Sequence, residues 1–135
     1  MSVFETGIRV YYEDTDAGGI VYHSNYLNYM ERCRCDWLGS LGFNVANLQH
    51  NDGIMFVVRE ANIEFEQPAR LFDEIIVSAH PLHVGKVKLV VEQKIYNQQQ
   101  LLCKATIKLA TLESGSFKLT AMPNTLRNAL IAAAA

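Results

Sequence analysis

The chain has 135 residues and a mass of 15.2 kDa; half of its residues are hydrophobic and 19% are charged, a composition that builds one core and argues against global disorder. Twelve Lys and Arg against 14 Asp and Glu leave a net charge of -2 with no basic run to follow a phosphate backbone, so no nucleic-acid partner is expected. Ile54 to Val58 and Ala129 to Ala135 are the longest stretches without a polar residue, far short of the roughly 20 apolar residues that span a bilayer. No membrane span is expected, and because Met1-Ser-Val-Phe-Glu lacks the basic and apolar regions of a secretory signal, the expected location is cytoplasmic.

Phe4 to Tyr12 alternates, with Phe4, Ile8, Val10 and Tyr12 on one parity and Glu5, Arg9 and Tyr11 on the other, which predicts a strand. The acids Glu13, Asp14 and Asp16 and the pair Gly18-Gly19 follow, a composition for a tight turn with exposed backbone. A helix is predicted from Ser24, a plausible N-cap, to closure near Gly39 and Gly42. At about 100° per residue, Tyr26, Leu27, Met30, Cys33, Trp37, Leu38 and Leu41 share one broad face. Arg34 falls inside that face, where an unpaired guanidinium is expensive, so it is expected to find a carboxylate or reach a seam between chains.

A polar link containing Asn51-Asp52-Gly53 leads into period-two stretches. Ile63 and Phe65, Ile75 to Val77, Val87 to Ile95 and Leu101 to Leu109 read as strands joined by short turns at Gln67-Pro68-Ala69-Arg70 and Asn97-Gln-Gln-Gln. The order is strand, helix, then about four strands: an α+β layer with an antiparallel sheet, one face polar and one covering the helix. One domain is expected over residues 1–130, with 131–135 a tail whose last alanines fray. Cys33, Cys35 and Cys103 lack Cys-x-x-Cys spacing and read as reduced packing thiols. His80 and His83 flank Pro81 and would need acidic or thiol partners to hold a metal, so no metal site is expected.

Chemistry concentrates in Tyr12-Glu-Asp-Thr-Asp-Ala-Gly-Gly-Ile-Val-Tyr-His23, directly before the helix. A helix N-terminus offers free N–H groups and partial positive charge to a developing oxyanion, and a neighbouring carboxylate can act as general base or nucleophile. The same acids can equally brace an Asx turn or offset the helix dipole. His23 can assist catalysis or simply pack beside the helix start.

The stretch Arg9-Val-Tyr-Tyr-Glu-Asp-Thr-Asp-Ala-Gly-Gly-Ile-Val-Tyr-His-Ser-Asn-Tyr26, followed by Glu31-Arg-Cys-Arg34, Phe56-Val-Val-Arg59 and Glu66-Gln-Pro-Ala-Arg70 with Asp73, resembles the hotdog-fold acyl-CoA thioesterases of the 4-hydroxybenzoyl-CoA thioesterase type. Within them it is most similar to the bacterial subgroup associated with the Tol-Pal cell-envelope system. The resemblance covers most of the chain. It implies a long helix wrapped by a curved antiparallel sheet of about five strands, and pairing into a homodimer or homotetramer with active sites along the seam. It implies hydrolysis of an acyl-CoA to free acid and coenzyme A, with coenzyme A as part of the substrate and no other cofactor. By position it assigns the catalytic carboxylate to Asp16, assistance to His23, and the carbonyl-polarising N–H to the region of Tyr22-His23. Gly19 and Tyr22 are substrate-binding candidates beside that site, and Arg59, Arg70 and Lys86 are candidates for the coenzyme A phosphates, because solvated cations suit that contact. The competing class is a non-catalytic module that binds acyl-CoA or acyl carrier protein. Ala17 to Ile20 and Cys33 and Cys35 depart from commoner family residues without touching the acid.

Overall fold

The alternating stretches fold as β1 (Phe4–Arg9), β2 (Ile54–Phe65), β3 (Glu74–Val84), β4 (Lys88–Asn97) and β5 (Gln100–Glu113) in a computed structural model that describes residues 3–135. All pairings are antiparallel, in the order β1-β3-β4-β5-β2, so the sheet is open and β2 lies on the edge beyond β5. Alternation decides the two faces. On β4, Leu89, Val91, Gln93 and Ile95 are buried while Lys88, Glu92 and Lys94 turn to the other side.

A bulge on β2 changes its parity: Val58 pairs with Leu109 and Glu60 with Lys108, leaving Arg59 as the extra residue. Phe56, Val58, Ala61, Ile63 and Phe65 therefore share one face, of which Val58 and Phe65 stay half exposed.

Helix α1 (Asn25–Ser40) packs on β1 and β3, burying Tyr26, Tyr29, Met30, Cys33, Trp37 and Leu38. Two details differ from the helical wheel: Tyr29 is wholly buried and Leu27 is 38% exposed. Ser24 does not cap the helix with its side chain, because its own dihedrals (φ -70°, ψ -21°) are already helical and a capping residue needs extended ones. The far end closes as the spacing predicts, with Gly42 at φ 92° and the Phe43 N–H donating back to the Leu38 carbonyl at 2.9 Å.

Two further helices were not anticipated. Within the polar link, α2 (Val45–Asn51) is capped by Asn44, whose side chain accepts from the Ala46 and Asn47 N–H groups. The expected frayed tail instead belongs to α3 (Asn124–Ala134), which lies against β3 and fully buries Leu126 and Leu130. Its start is fixed by Met122 N–H donating to the Lys86 carbonyl (2.8 Å) and by Arg127 Nε donating to the Gly85 carbonyl (3.0 Å). Among the described residues no helix is long and apolar enough to cross a membrane.

Candidate active site

After β1 the chain makes a single 3-10 turn, Tyr12–Asp14, before reversing at Asp16 to Ile20. Asp14 organises this entry with its carbonyl and one carboxylate oxygen. One carboxylate oxygen accepts the Tyr11 N–H at 2.9 Å, and its carbonyl accepts both the Tyr22 N–H and Asn25 Nδ2, each at 2.9 Å. Because Asn25 opens α1, that side-chain bond ties the acidic loop to the helix entrance.

Asp16 closes the reversal. Its N–H donates to the Ile20 carbonyl, its carbonyl accepts from Gly19, and its Oδ1 accepts the Gly18 N–H at 2.8 Å, an Asx turn. Gly19 sits at φ 79°, which only a residue without Cβ adopts at little cost. The second carboxylate oxygen of Asp16 has no bond within the described residues, and the side chain is exposed. The bracing role is therefore present and leaves half of the carboxylate free.

The loop docks on the turn between β2 and β3. Val21 N–H donates to the Ala69 carbonyl, Ile20 bridges to Arg70, and the Tyr26 hydroxyl accepts the Ala69 N–H at 3.0 Å. Asp73 holds that turn by accepting the Arg70 N–H at 2.9 Å. Burial, and then the nearby Cys103, Asp16 and Asp73, push the Tyr26 phenol upward against the opposing Ala69 bond. Tyr29 is raised by burial and by Asp14, and its buried hydroxyl makes no hydrogen bond of ordinary geometry.

The N–H groups of Tyr22 and His23 differ in their partners. Tyr22 N–H is spent on Asp14, whereas His23 N–H has no partner among the described residues. The His23 ring packs on Tyr22 with centroids 4.4 Å apart, and both side chains are exposed. The structure thus gathers Asp16, Gly19, Tyr22 and His23 in one loop and Arg70 beside it. It does not bring Arg59 there. Arg59 borders a separate groove of about 270 Å³ with Lys88 and Lys108, and Lys86 lies exposed before β4.

Asn25, Tyr26 and Asp73 hold the site together; sequence placed Tyr26 on the buried helix face and Asp73 in the family signature without giving any of the three this role, although an Asn at a helix start was a visible signal. Arg34 does not find the expected carboxylate: its Nη1 donates to Gln93 Oε1 at 2.8 Å. His80 pairs across the strands with Glu92 and is parted from His83 by a bulge; among the described residues no three His, Cys, Asp or Glu side chains are grouped to hold a metal ion.

The family model of the thioesterase superfamily matches residues 18–104, running from the glycines of the acidic loop into β5. The chain belongs to the thioesterase superfamily. It is similar to the acyl-CoA thioesterase YbgC of Haemophilus influenzae, with 36% identity over 126 residues and 93% of each chain covered. The acyl-CoA thioester hydrolase YbgC of Escherichia coli is 34% identical over the same share of both chains. Among solved structures, the "Probable Thioesterase" of Bartonella henselae superposes with a TM-score of 0.87 at 30% identity, covering 90% of this chain and all of that one. These relatives carry the hotdog arrangement, so this thioesterase has the fold that its acidic-loop signature implied.

Proposed function

We propose that this thioesterase hydrolyses acyl-CoA to a free acid and coenzyme A, with Asp16 as the general base or nucleophile. The observation that carries the reading is the pairing, in one loop, of a carboxylate oxygen without a partner on Asp16 and an N–H without a partner on His23. The His23 N–H would polarise the thioester carbonyl, where its positive end and that of α1 favour the developing oxyanion. Asp16 would take a proton from water as the water oxygen bonds to the carbonyl carbon, or would attack that carbon directly to give, once the thiolate has left, an acyl anhydride on Asp16 that a water then hydrolyses to the free acid. On collapse the C–S bond breaks and the coenzyme A thiolate leaves, to be protonated. The His23 imidazole would assist that proton traffic. Gly19 and Tyr22 would line the approach of the thioester, and Arg70 would meet coenzyme A phosphates. No metal and no resident cofactor is required by this scheme.

The exposure of Asp16, Tyr22 and His23 supports a site completed by a second chain. The 12-residue strand β2 pairs on one side only, and its half-exposed Val58 and Phe65 suit continuation of the sheet into a partner. We propose a homodimer joined at β2, with tetramer formation as a further pairing. Arg59, on that strand, would then reach a coenzyme A only at the seam. Three free cysteines are in keeping with a reducing, cytoplasmic location.

The test is release of thiol from a panel of aliphatic and aromatic acyl-CoAs and from acyl carrier protein thioesters, alongside sedimentation equilibrium at micromolar concentration. Turnover of at least one acyl-CoA by a dimer or larger species is expected. Binding without thiol release on every substrate, or a lone 15.2 kDa species, would contradict the reading.

A further inference from the structure

Alongside α1, away from the acidic loop, lies a cleft of about 230 Å³ between the helix and strands β2, β4 and β5. Its walls are apolar, with Trp37 and Leu38 from α1, Phe56 from β2, Leu89 from β4 and Leu109 from β5. One cation enters it. Arg34 is half-buried and oriented by Gln93, which is wholly buried and itself anchored, its Nε2 donating to the Met30 carbonyl at 3.0 Å and the Ser78 carbonyl at 3.4 Å. Gln93 offers a neutral oxygen, not a charge. The ion pairs among the described residues are Lys94–Glu92 and Lys108–Glu60, so Arg34 has no carboxylate. Glu31, one turn earlier, borders the cleft but is exposed and closes no ion pair with it.

A held guanidinium with donors to spare, set at the edge of an apolar hollow, matches a carboxylate carried on a compact apolar body. The hollow is several times larger than the ~30 Å³ that one water occupies in the liquid, so it admits a small organic acid, for which six-carbon hexanoate is the probe. We propose that this cleft binds such a carboxylate, its head group on Arg34 and its body against Phe56, Leu89 and Leu109. Binding there does not depend on the reaction scheme above. Its source does rest on that scheme: the anion is either the released acid or the distal carboxylate of an acyl chain.

Trp37 is the only tryptophan of the sequence and lines the cleft, so its fluorescence reads occupancy directly. Hexanoate should give a saturable change in the wild type and in Asp16→Asn, and hexanamide should bind about tenfold more weakly or worse, because it lacks the charge. Arg34→Met should lose the preference for hexanoate over hexanamide. If that variant melts early, Leu109→Phe, which fills the hollow and keeps Arg34, should abolish the response. Equal binding of acid and amide, an unchanged Arg34→Met, or no saturable signal overturns the proposal. Source is read from turnover. A lower KM for the CoA monothioester of a long-chain dicarboxylic acid than for the monocarboxylic acyl-CoA of equal length, lost in Arg34→Met, assigns the anion to the acyl chain; inhibition by hexanoate without that preference assigns it to released acid. A fluorescence response with no hydrolysis of either thioester supports the cleft and contradicts the thioesterase mechanism alone.

Discussion

Asp16 and Asp14 are two residues apart and look interchangeable in sequence, yet the fold uses them differently. Each carboxylate accepts one backbone N–H, Asp14 from Tyr11 and Asp16 from Gly18, but the Asp14 carbonyl also holds Tyr22 and Asn25 at the helix entrance, and Asp14 is partly buried whereas Asp16 is exposed. That distinction was invisible to spacing, which left turn brace and base as rival roles; it was the family signature that singled out Asp16. His23 poses the matching question of backbone against side chain. Its N–H has no partner among the described residues and its imidazole packs on the Tyr22 ring. His23→Ala keeps the N–H, so if the imidazole moves protons, kcat should fall on the order of 10²-fold and a limb of the pH–rate profile should shift. A variant with wild-type rate and profile would reduce His23 to its backbone.

At the scale of elements, the strands and α1 were legible because burial on one face imposes a period. What escaped were elements without one. α2 buries only Leu48, so no apolar stripe announces it, although Asn44 was a readable cap. α3 lies across the expected boundary at residue 130, and its terminal alanines hide the buried stripe that Leu126 and Leu130 mark at four-residue spacing. The β2 bulge at Arg59 shifts parity, which a pattern of alternation cannot foresee. The partner of Arg34 came from β4, distant in sequence, and only tertiary structure supplies such contacts. If α3 is an integral part of the core, Leu130→Ala should cost about 2 to 5 kcal/mol in urea unfolding. A loss under about 0.5 kcal/mol would mean that α3 adds little to the core.

For the molecule as a whole, stability and chemistry are separable, and stability carries a titration of its own. Burial pushes the Cys33 and Cys103 thiols from an ordinary value near 9 up to about 12, and it also raises Tyr26 and Tyr29. In the unfolded chain these groups release protons at lower pH than in the fold. Their contribution is therefore complete below about pH 9 and declines as pH rises toward 12. The urea midpoint should be level near neutrality and fall steadily above pH 9, less steeply in Cys103→Ala; a midpoint unchanged to pH 11 would contradict this. Chemistry rests instead on the exposed loop. Asn at position 16 retains a side-chain oxygen for the Gly18 N–H but can neither take a proton from water near neutral pH nor attack a thioester.

The most direct measurement is kcat for Asp16→Asn, Asp14→Asn and wild type on the best acyl-CoA, with melting temperature and the Kd of a non-hydrolysable acyl-CoA analogue measured on each. Asp16→Asn should melt and bind as wild type while losing at least about 10³ in kcat, roughly 4 kcal/mol of transition-state stabilisation, and Asp14→Asn should show the milder, structural change. Retained turnover in Asp16→Asn, with a lowered melting temperature, would leave Asp16 as a turn brace and remove it from the mechanism.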